Sequence, residues 1–320
     1  MPHVLVAGKI DAAGLTILQQ ADGITFDYVE EVSEESYRPY LANADGLVIR
    51  TQPLTSASIE MAEKLRIVSR HGVGYDSVDL QALQARGIAL AIVGDVNSLS
   101  VAEHTIGLLF ALSKKTLASD AGVRNGDWAW RDRDRPFELA QKNLLVVGMG
   151  RIGRRVAELA SRLGMSVRGY DPKLPDMAWP DLGYGRETDL HLALASADIV
   201  TVCVPKGDKP LIGAPELSAM KRTALLVNTA RGGVVDEAAL AAAISKGEIA
   251  GAGVDVFDDE PPLRSNPLLH SDRVIVSPHV AGLTVESARR MSIASVRNVL
   301  DYFEGRLDPD LLVGKPVESA

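Results

Sequence analysis

Gly148, Gly150 and Gly153 stand at the spacing G-x-G-x-x-G, directly after the apolar run LLVV and ahead of a stretch with helical periodicity. A strand that turns on such glycines into a helix aims the first backbone N–H groups of the helix at an anion, which is how a pyrophosphate is held. Asp171 follows the turn by about twenty residues, where a dinucleotide fold keeps the carboxylate that accepts from the ribose hydroxyls. A carboxylate there repels a 2′-phosphate, so the cofactor expected is NAD rather than NADP. Three more polar residues close apolar runs further on: Arg231 after TALLVNTA, Glu260 after AGAGVDVFDD and His279 after RVIVSP. These are the carboxyl ends of expected parallel strands, the edge at which doubly wound sheets bind ligands.

Together these residue types suit hydride transfer between a nicotinamide and a small 2-hydroxy or 2-oxo acid. An arginine fork grips a carboxylate through two parallel hydrogen bonds and polarises the adjacent carbonyl, the task given to Arg231. An imidazole titrates near neutral pH and can give a proton to, or take one from, the reacting oxygen, the task given to His279. A carboxylate on the other ring nitrogen fixes the tautomer and favours the imidazolium, the task given to Glu260. The nicotinamide carries the hydride, and no metal is called for.

The elements that must position these groups follow from the apolar pattern. Beyond the glycine turn, Ile152, Val156, Leu159, Ala160 and Leu163 recur at helical spacing and Gly164 stands where the helix should stop. A strand from Met165 to Tyr170 then delivers Asp171. Upstream, the runs HVLVAG, ITFDYV, DGLVIR, LRIVSR and IALAIV alternate with helical patterns, a βα repeat that forms a parallel sheet. Ser100 to Gly122 reads as one long helix, and GDWAWRDRDRPFELAQKN as an exposed loop. A second βα series runs from Asp171 to RVIVSP, with Asp236 capping one of its helices, and a last helix from about Thr284 to Phe303 returns toward the start. The fold class expected is α/β, with two doubly wound Rossmann-like parallel-sheet domains and a cleft between them. Residues 1–99 and 286–320 form a discontinuous substrate-binding domain, and residues 100–285 form the nucleotide domain.

The formal net charge of −8, without a Lys/Arg block, argues against nucleic acid or an anionic membrane as a partner. Cys203 is the only cysteine, so no intrachain disulfide can form, and its place in DIVTVCV makes it a buried strand residue rather than a nucleophile. Neither a signal-peptide pattern nor a membrane-length apolar run is present in the sequence, and a cytoplasmic location is expected.

NTARGGVVDEAAL, GAGVDVFDDEPP and SPHVAGLT, with GMGRIG and YDP, resemble the signature segments of the D-isomer-specific 2-hydroxyacid dehydrogenases, in particular the D-3-phosphoglycerate dehydrogenase branch. The resemblance runs over nearly the whole chain. It implies two Rossmann-like domains, NAD, a homodimer built through the nucleotide domains, and a catalytic set at Arg231, Glu260 and His279. It places cofactor contacts at Arg151, Ile152 and Asp171, at Cys203, Val204 and Pro205 near the adenosine, and at Thr229, Ala230, Asp255 and Gly282 around the nicotinamide. The loop SRHGVGYDSVD is similar to one whose amides hold the substrate carboxylate, which points to Val73 and Gly74, and Asn97 falls at the interdomain hinge. Arg50 and Arg70 match positions at which phosphoglycerate dehydrogenases direct arginines toward the phosphate, so a substrate with a second anionic group is expected, such as 3-phosphoglycerate or sulfolactate.

The chain also departs from that pattern. Pro205-Lys206-Gly207-Asp208-Lys209-Pro210 replaces a longer PLTPET-like stretch, and RDRPFELAQKN lacks a glycine common before the ELxGK-like segment. The chain stops shortly after its last helix, so serine feedback through a regulatory domain is not expected. AGLT is shared with general hydroxyacid reductases, which keeps hydroxypyruvate and glyoxylate as alternative substrates. Formate dehydrogenases resemble the same family but typically pair the histidine with glutamine, and Glu260 speaks against that activity. A reading of another class is an NADH-sensing dimeric protein similar to the corepressors that resemble these enzymes.

Overall fold

All named strand pairings in the computed structural model, which describes residues 1–314, are parallel. Parallel sheets covered by helices bury both faces of each strand, so their strands read as continuous apolar runs rather than as alternation. GLVI, IVTV and GAGV are buried at every position for that reason.

The chain divides into two compact units, Met1–Asn97 with the chain from Leu283 on, and Ser98–Gly282. The first contains β1 (His3–Ala7), α1 (Ala12–Gln20), β2 (Thr25–Val29), α2 (Glu34–Tyr37), β3 (Gly46–Ile49), α3 (Ser56–Met61), β4 (Ile67–Arg70), α4 (Leu80–Ala85) and β5 (Ala89–Ala91). The second contains α5 (Ser98–Ser113), α6 (Thr116–Arg124), α7 (Trp130–Arg133), β6 (Asn143–Val147), α8 (Arg151–Arg162), β7 (Ser166–Tyr170), β8 (Gly185–Glu187), α9 (Leu190–Ser196), β9 (Ile199–Val202), α10 (Ala214–Ala219), β10 (Leu225–Asn228), α11 (Glu237–Lys246), β11 (Gly251–Val254) and β12 (Val274–Val276). The chain then returns to the first unit as α12 (Val285–Phe303).

The first sheet has the order β2-β1-β3-β4-β5 and the second β12-β11-β10-β9-β6-β7-β8. Side chains set the helix starts. Asp11, Thr55, Asp79, Asp189, Asp236 and Thr284 each accept from a backbone N–H of the first helical turn, a contact that stabilises a helix by about 1 kcal/mol. In the first unit α12 packs on α1 and on β3 and β4, burying Met291, Val296 and Val299. In the second, α5 lays Ile106, Leu109 and Leu112 into the core beneath β6, β9 and β10.

One expected element is corrected. The run from Ser100 to Gly122 is not a single helix but α5 and α6, broken where Lys115 takes a left-handed conformation with φ 52°. The two lysines at the break are drawn to another segment: Lys114 Nζ donates to the Phe137 carbonyl at 2.8 Å, and Lys115 pairs with Asp134. The apolar periodicity continues across the break, so the pattern gave no sign of it. Leu117, expected on the buried face, is 60% exposed, whereas Leu109 is fully buried. The loop that follows carries the single turn α7, and β8 joins the sheet from a segment with no strand signal. Among the described residues no helix is long and apolar enough to cross a membrane.

Candidate active site

From β6 the chain moves outward to β7 and β8, then returns to β9 on the other side of β6. This reversal opens a crevice at the carboxyl ends of β6 and β9. The glycine turn occupies it, each glycine for its own reason. Gly148 has φ 97°, and a Cβ there would lie 2.7 Å from the Cys203 carbonyl oxygen. A Cβ on Gly153 would fall 1.9 Å from the Gly148 carbonyl oxygen, so only glycine lets α8 seat on the turn. A Cβ on Gly150 would meet nothing within 4 Å, which leaves the start of α8 open to an anion. Glycine turn, open helix start and acid fit a dinucleotide.

A cavity of about 390 Å³ lies beside the turn, lined by Gly148, Gly150, Asp171, Cys203, Val204 and Pro205 among others. This is the size of a small-ligand pocket. Asp171 is fixed rather than free to swing: Oδ2 accepts the Met149 N–H and Oδ1 the Lys173 N–H, both at 3.0 Å. Each oxygen keeps acceptor capacity for a ribose hydroxyl. The short loop after β9 also lines the cavity, through Gly207, Lys209 and Pro210, while Lys206 turns away to Asp258 at 3.6 Å. Burial pushes the Cys203 thiol up to about 12, partly offset by the Thr201 hydroxyl, so it stays protonated and is no nucleophile.

Across β10, β11 and β12 the same edge carries the three polar residues. His279 Nδ1 lies 2.7 Å from Glu260 Oε2, and Glu260 Oε1 accepts the Phe257 N–H at 3.1 Å, so both carboxylate oxygens are committed. Partial burial pushes the Glu260 carboxyl up, but the hydrogen bonds from His279 and Phe257, with the charges of His279 and Arg231, hold it below the usual carboxylate range. An ionised Glu260 can only accept, so Nδ1 carries the hydrogen and Nε2 is the ring nitrogen that the Glu260 contact leaves available.

His279 itself has φ 51°, an uncommon conformation for a residue with a side chain. Asp255 holds it there. Its carbonyl accepts the His279 N–H at 2.8 Å, Oδ1 accepts the Ser277 hydroxyl at 2.5 Å and the Val280 N–H at 3.0 Å, and Oδ2 accepts the Ala281 N–H at 3.0 Å. Asp255, expected at the nicotinamide, thus spends most of its acceptor capacity on the histidine turn. Arg231 is set by Asn228, whose Nδ2 donates to the Arg231 carbonyl and whose Oδ1 accepts the Ala230 N–H, both at 3.0 Å. Its Nη1 donates to the Ala230 carbonyl at 2.7 Å. Gly232 brings this loop against the one bearing Glu260, since a Cβ there would sit 1.8 Å from the Phe257 carbonyl oxygen.

Of the other expected cofactor residues, Arg151, Ile152 and Gly153 open α8, and Thr229 and Ala230 follow β10. Gly282 closes the unit. Asn228, Gly232 and Ser277 were not singled out from the sequence. They flank the arginine and the histidine inside NTARGG and SPH, but their work is hydrogen bonding and close approach, which residue type alone does not display.

In the first unit, Arg50 and Arg70 follow β3 and end β4 at the carboxyl edge of the sheet, and Val73 and Gly74 lie in the loop after β4. Arg50 Nη1 donates to the Lys9 carbonyl at 3.3 Å, and Arg70 Nη1 to the His71 carbonyl at 3.2 Å. His71 is buried between them in charge terms: burial, then the Arg50 and Arg70 charges, push its imidazole down to about 4. It is neutral at pH 7. Asn97 is the last residue of this stretch of the unit.

Residues 106–281 match the model of the NAD binding domain of the D-isomer specific 2-hydroxyacid dehydrogenases. The chain is 34% identical to a D-3-phosphoglycerate dehydrogenase of Methanocaldococcus jannaschii, over 96% of this chain and 58% of that protein. It spans about half the length of the phosphoglycerate dehydrogenases it matches, between 49% and 58% in three of them. A glyoxylate reductase of Korarchaeum cryptofilum is also 34% identical, over 97% of this chain and 96% of the relative. Among solved structures, an NADPH-dependent glyoxylate/hydroxypyruvate reductase of Sinorhizobium meliloti in complex with citrate superposes with a TM-score of 0.86 at 29% identity, covering 98% of both chains.

Proposed function

The chain belongs to the D-isomer specific 2-hydroxyacid dehydrogenase family, and from that premise we propose that it transfers a hydride between NAD and a small 2-hydroxy or 2-oxo acid. The observation that carries the proposal is the 2.7 Å contact between His279 and Glu260 on the sheet edge that also bears Arg231 and the glycine turn. Arg231 grips the substrate carboxylate and polarises its carbonyl. His279 Nε2 protonates the oxygen during reduction and takes the proton back during oxidation, and Glu260 stabilises the imidazolium. The nicotinamide, when bound, supplies or accepts the hydride. Thr229, Ala230, Asp255 and Gly282 surround it, Arg151 and Ile152 meet the pyrophosphate, and Asp171 selects NAD by repelling a 2′-phosphate.

On the substrate side, Val73 and Gly74 hold the carboxylate through their amides, Asn97 contributes beside them, and Arg50 and Arg70 take a second anionic group. The phosphoglycerate dehydrogenase relatives favour a phosphate, as in 3-phosphohydroxypyruvate; sulfopyruvate has the same charge layout. A second reading, glyoxylate or hydroxypyruvate reduction, is favoured by the Korarchaeum cryptofilum relative, which this chain matches over almost its full length.

Comparing kcat/KM for 3-phosphohydroxypyruvate, 3-sulfopyruvate, hydroxypyruvate and glyoxylate, each with NADH and NADPH, separates the two. A second-anion site gives the first two acids the advantage, and Arg50→Gln or Arg70→Gln then removes about tenfold to a hundredfold of it, the worth of a charge-assisted hydrogen bond. Equal values across the panel contradict that site and leave the reductase reading. Asp171→Ala is expected to narrow the preference for NADH; an unchanged ratio contradicts the ribose assignment.

We also propose a homodimer formed through the second unit. Leu117 and Val123 on α6 and Trp128 beyond it are each more than half exposed, which offers apolar surface to a second copy.

A further inference from the structure

Helix α5 meets the edge of the second sheet through two consecutive residues. His104 Nε2 lies 3.0 Å from Ser277 Oγ, and Thr105 Oγ1 lies 2.8 Å from Thr229 Oγ1 in the buried core. Ser277 stands two residues before His279, and Thr229 two residues before Arg231. One helix turn therefore reaches the bases of both loops that carry the proposed catalytic side chains.

The hydrogens in these contacts can be placed. A hydroxyl has one hydrogen to give. That of Ser277 goes to the Asp255 carboxylate, so its oxygen receives the N–H of His104 Nε2. That of Thr105 goes to the Val101 carbonyl one turn back, so Thr229 donates to Thr105. Each contact has a single direction, and a side chain that cannot supply the required donor or acceptor breaks it.

We propose that His104 and Thr105 are positioning residues of this enzyme, a two-point clamp on α5 that fixes the spacing between the Arg231 guanidinium and the His279 imidazole. The clamp rests on the dehydrogenase reading above. Neither residue takes part in the chemistry.

The need for such a clamp follows from the sheet. Arg231 and His279 leave β10 and β12, which are not neighbours, since β11 lies between them. Adjacent strands are about 4.8 Å apart, so the two loops begin on the order of 10 Å from each other and must converge on one carbonyl oxygen. Misplacing a reacting group by about 1 Å costs up to a hundredfold in rate. Asn228 fixes the Arg231 loop locally, and Asp255 ties the ends of β10 and β12 together by way of β11: its N–H donates to the Asn228 carbonyl at 3.0 Å and its carboxylate holds Ser277, Val280 and Ala281. Helix α5 adds a second link from outside the sheet, because it packs across β10, β11 and β12, and successive residues of a helix point about 100° apart, toward different strands. The apolar anchoring of Leu108, Leu109 and Leu112 holds the helix against the core and makes it a fixed reference. Ser98, at its start, accepts from Arg155 Nε of α8 at 2.7 Å, so the same helix is also tied to the one that opens at the glycine turn.

The test uses the full chain with His104→Leu, His104→Gln, Thr105→Val, Thr105→Ser and the double variant His104→Leu/Thr105→Val. Gln and Ser keep the donor and the acceptor; Leu and Val remove them. With saturating NADH and hydroxypyruvate, each apolar variant is expected to lose about tenfold in kcat, with the dissociation constant for NADH unchanged within about twofold. His104→Gln and Thr105→Ser recover most of the rate, and the double variant loses less than the product of the two single losses, because either break releases the same spacing. Unaltered kcat in both apolar variants, or losses that track a fall in Tm and are not rescued by Gln or Ser, overturn the clamp.

A wild-type chain that oxidises no NADH with any of the four acids named above sinks the dehydrogenase reading instead. The clamp is then judged by the ring resonances of His279, one of six histidines, in histidine-labelled protein. They shift in His104→Leu and hold in His104→Gln if the clamp is real, and stay in place in both if it is not.

Discussion

Two histidines at the sheet edges are set to opposite tasks by what surrounds them. His279 is half exposed and bonded through Nδ1 to an ionised carboxylate, which fixes its tautomer and leaves Nε2 as the proton-exchanging nitrogen of the proposed reaction. His71 is buried beside two guanidinium groups, which favour its neutral form. The second case has a consequence for stability. The unfolded chain protonates His71 near 6.5 and the folded chain only near 4, so between those values the unfolded state holds the extra proton. Stability therefore falls as pH drops from about 6.5 to about 4, by up to about 3 kcal/mol from this residue, and levels off below. Several carboxylates, Glu34, Asp198 and Glu260, are held below their ordinary range and add their own loss in more acid solution. His71→Gln isolates the histidine: its urea midpoint should change less than that of the wild type between pH 6.5 and 4.5. Parallel curves contradict the assignment.

At the scale of elements, the β6–turn–α8 unit makes the sharpest separation between folding and binding. Gly153→Ala would drive a methyl group into the Gly148 carbonyl, and Gly150→Ala would place it in open space. The first variant is expected to lose several kcal/mol of stability or fail to fold. The second should unfold at the wild-type temperature and yet bind NADH at least tenfold more weakly, because the space is taken by the pyrophosphate. Equal NADH affinity in Gly150→Ala would contradict the fit of the dinucleotide. This unit was legible in the sequence because strand, glycine spacing, helix periodicity and Asp171 are all local signals. The alternation of strands and helices was legible for the same reason, and so was the edge that carries Arg231, Glu260 and His279. The break between α5 and α6 was not, because it depends on where Lys114 and Lys115 find partners some twenty residues away. Nor were the roles of Asn228 and Ser277, which lie in hydrogen bonds within and between the strand-end loops, or of His104 and Thr105, whose partners are set by how α5 crosses the sheet.

For the whole molecule, the exposed Leu117, Val123 and Trp128 belong to an interface with a second copy if the homodimer proposal holds. Leu117→Glu with Val123→Glu should then convert a dimer into a monomer in sedimentation equilibrium while leaving the far-ultraviolet circular dichroism unchanged. A wild-type chain that sediments as a monomer at micromolar concentration contradicts the proposal. The account's central claim, that His279 moves a proton while a nicotinamide moves a hydride, is met most directly by following NADH absorbance with a 2-oxo acid present, in wild type and in His279→Ala. The expected result is NADH oxidation by the wild type and a loss of at least a thousandfold in the variant, of the order seen when a general acid–base is removed, with NADH still bound at wild-type affinity. Tight NADH binding without turnover in the wild type, or robust turnover in His279→Ala, would contradict it.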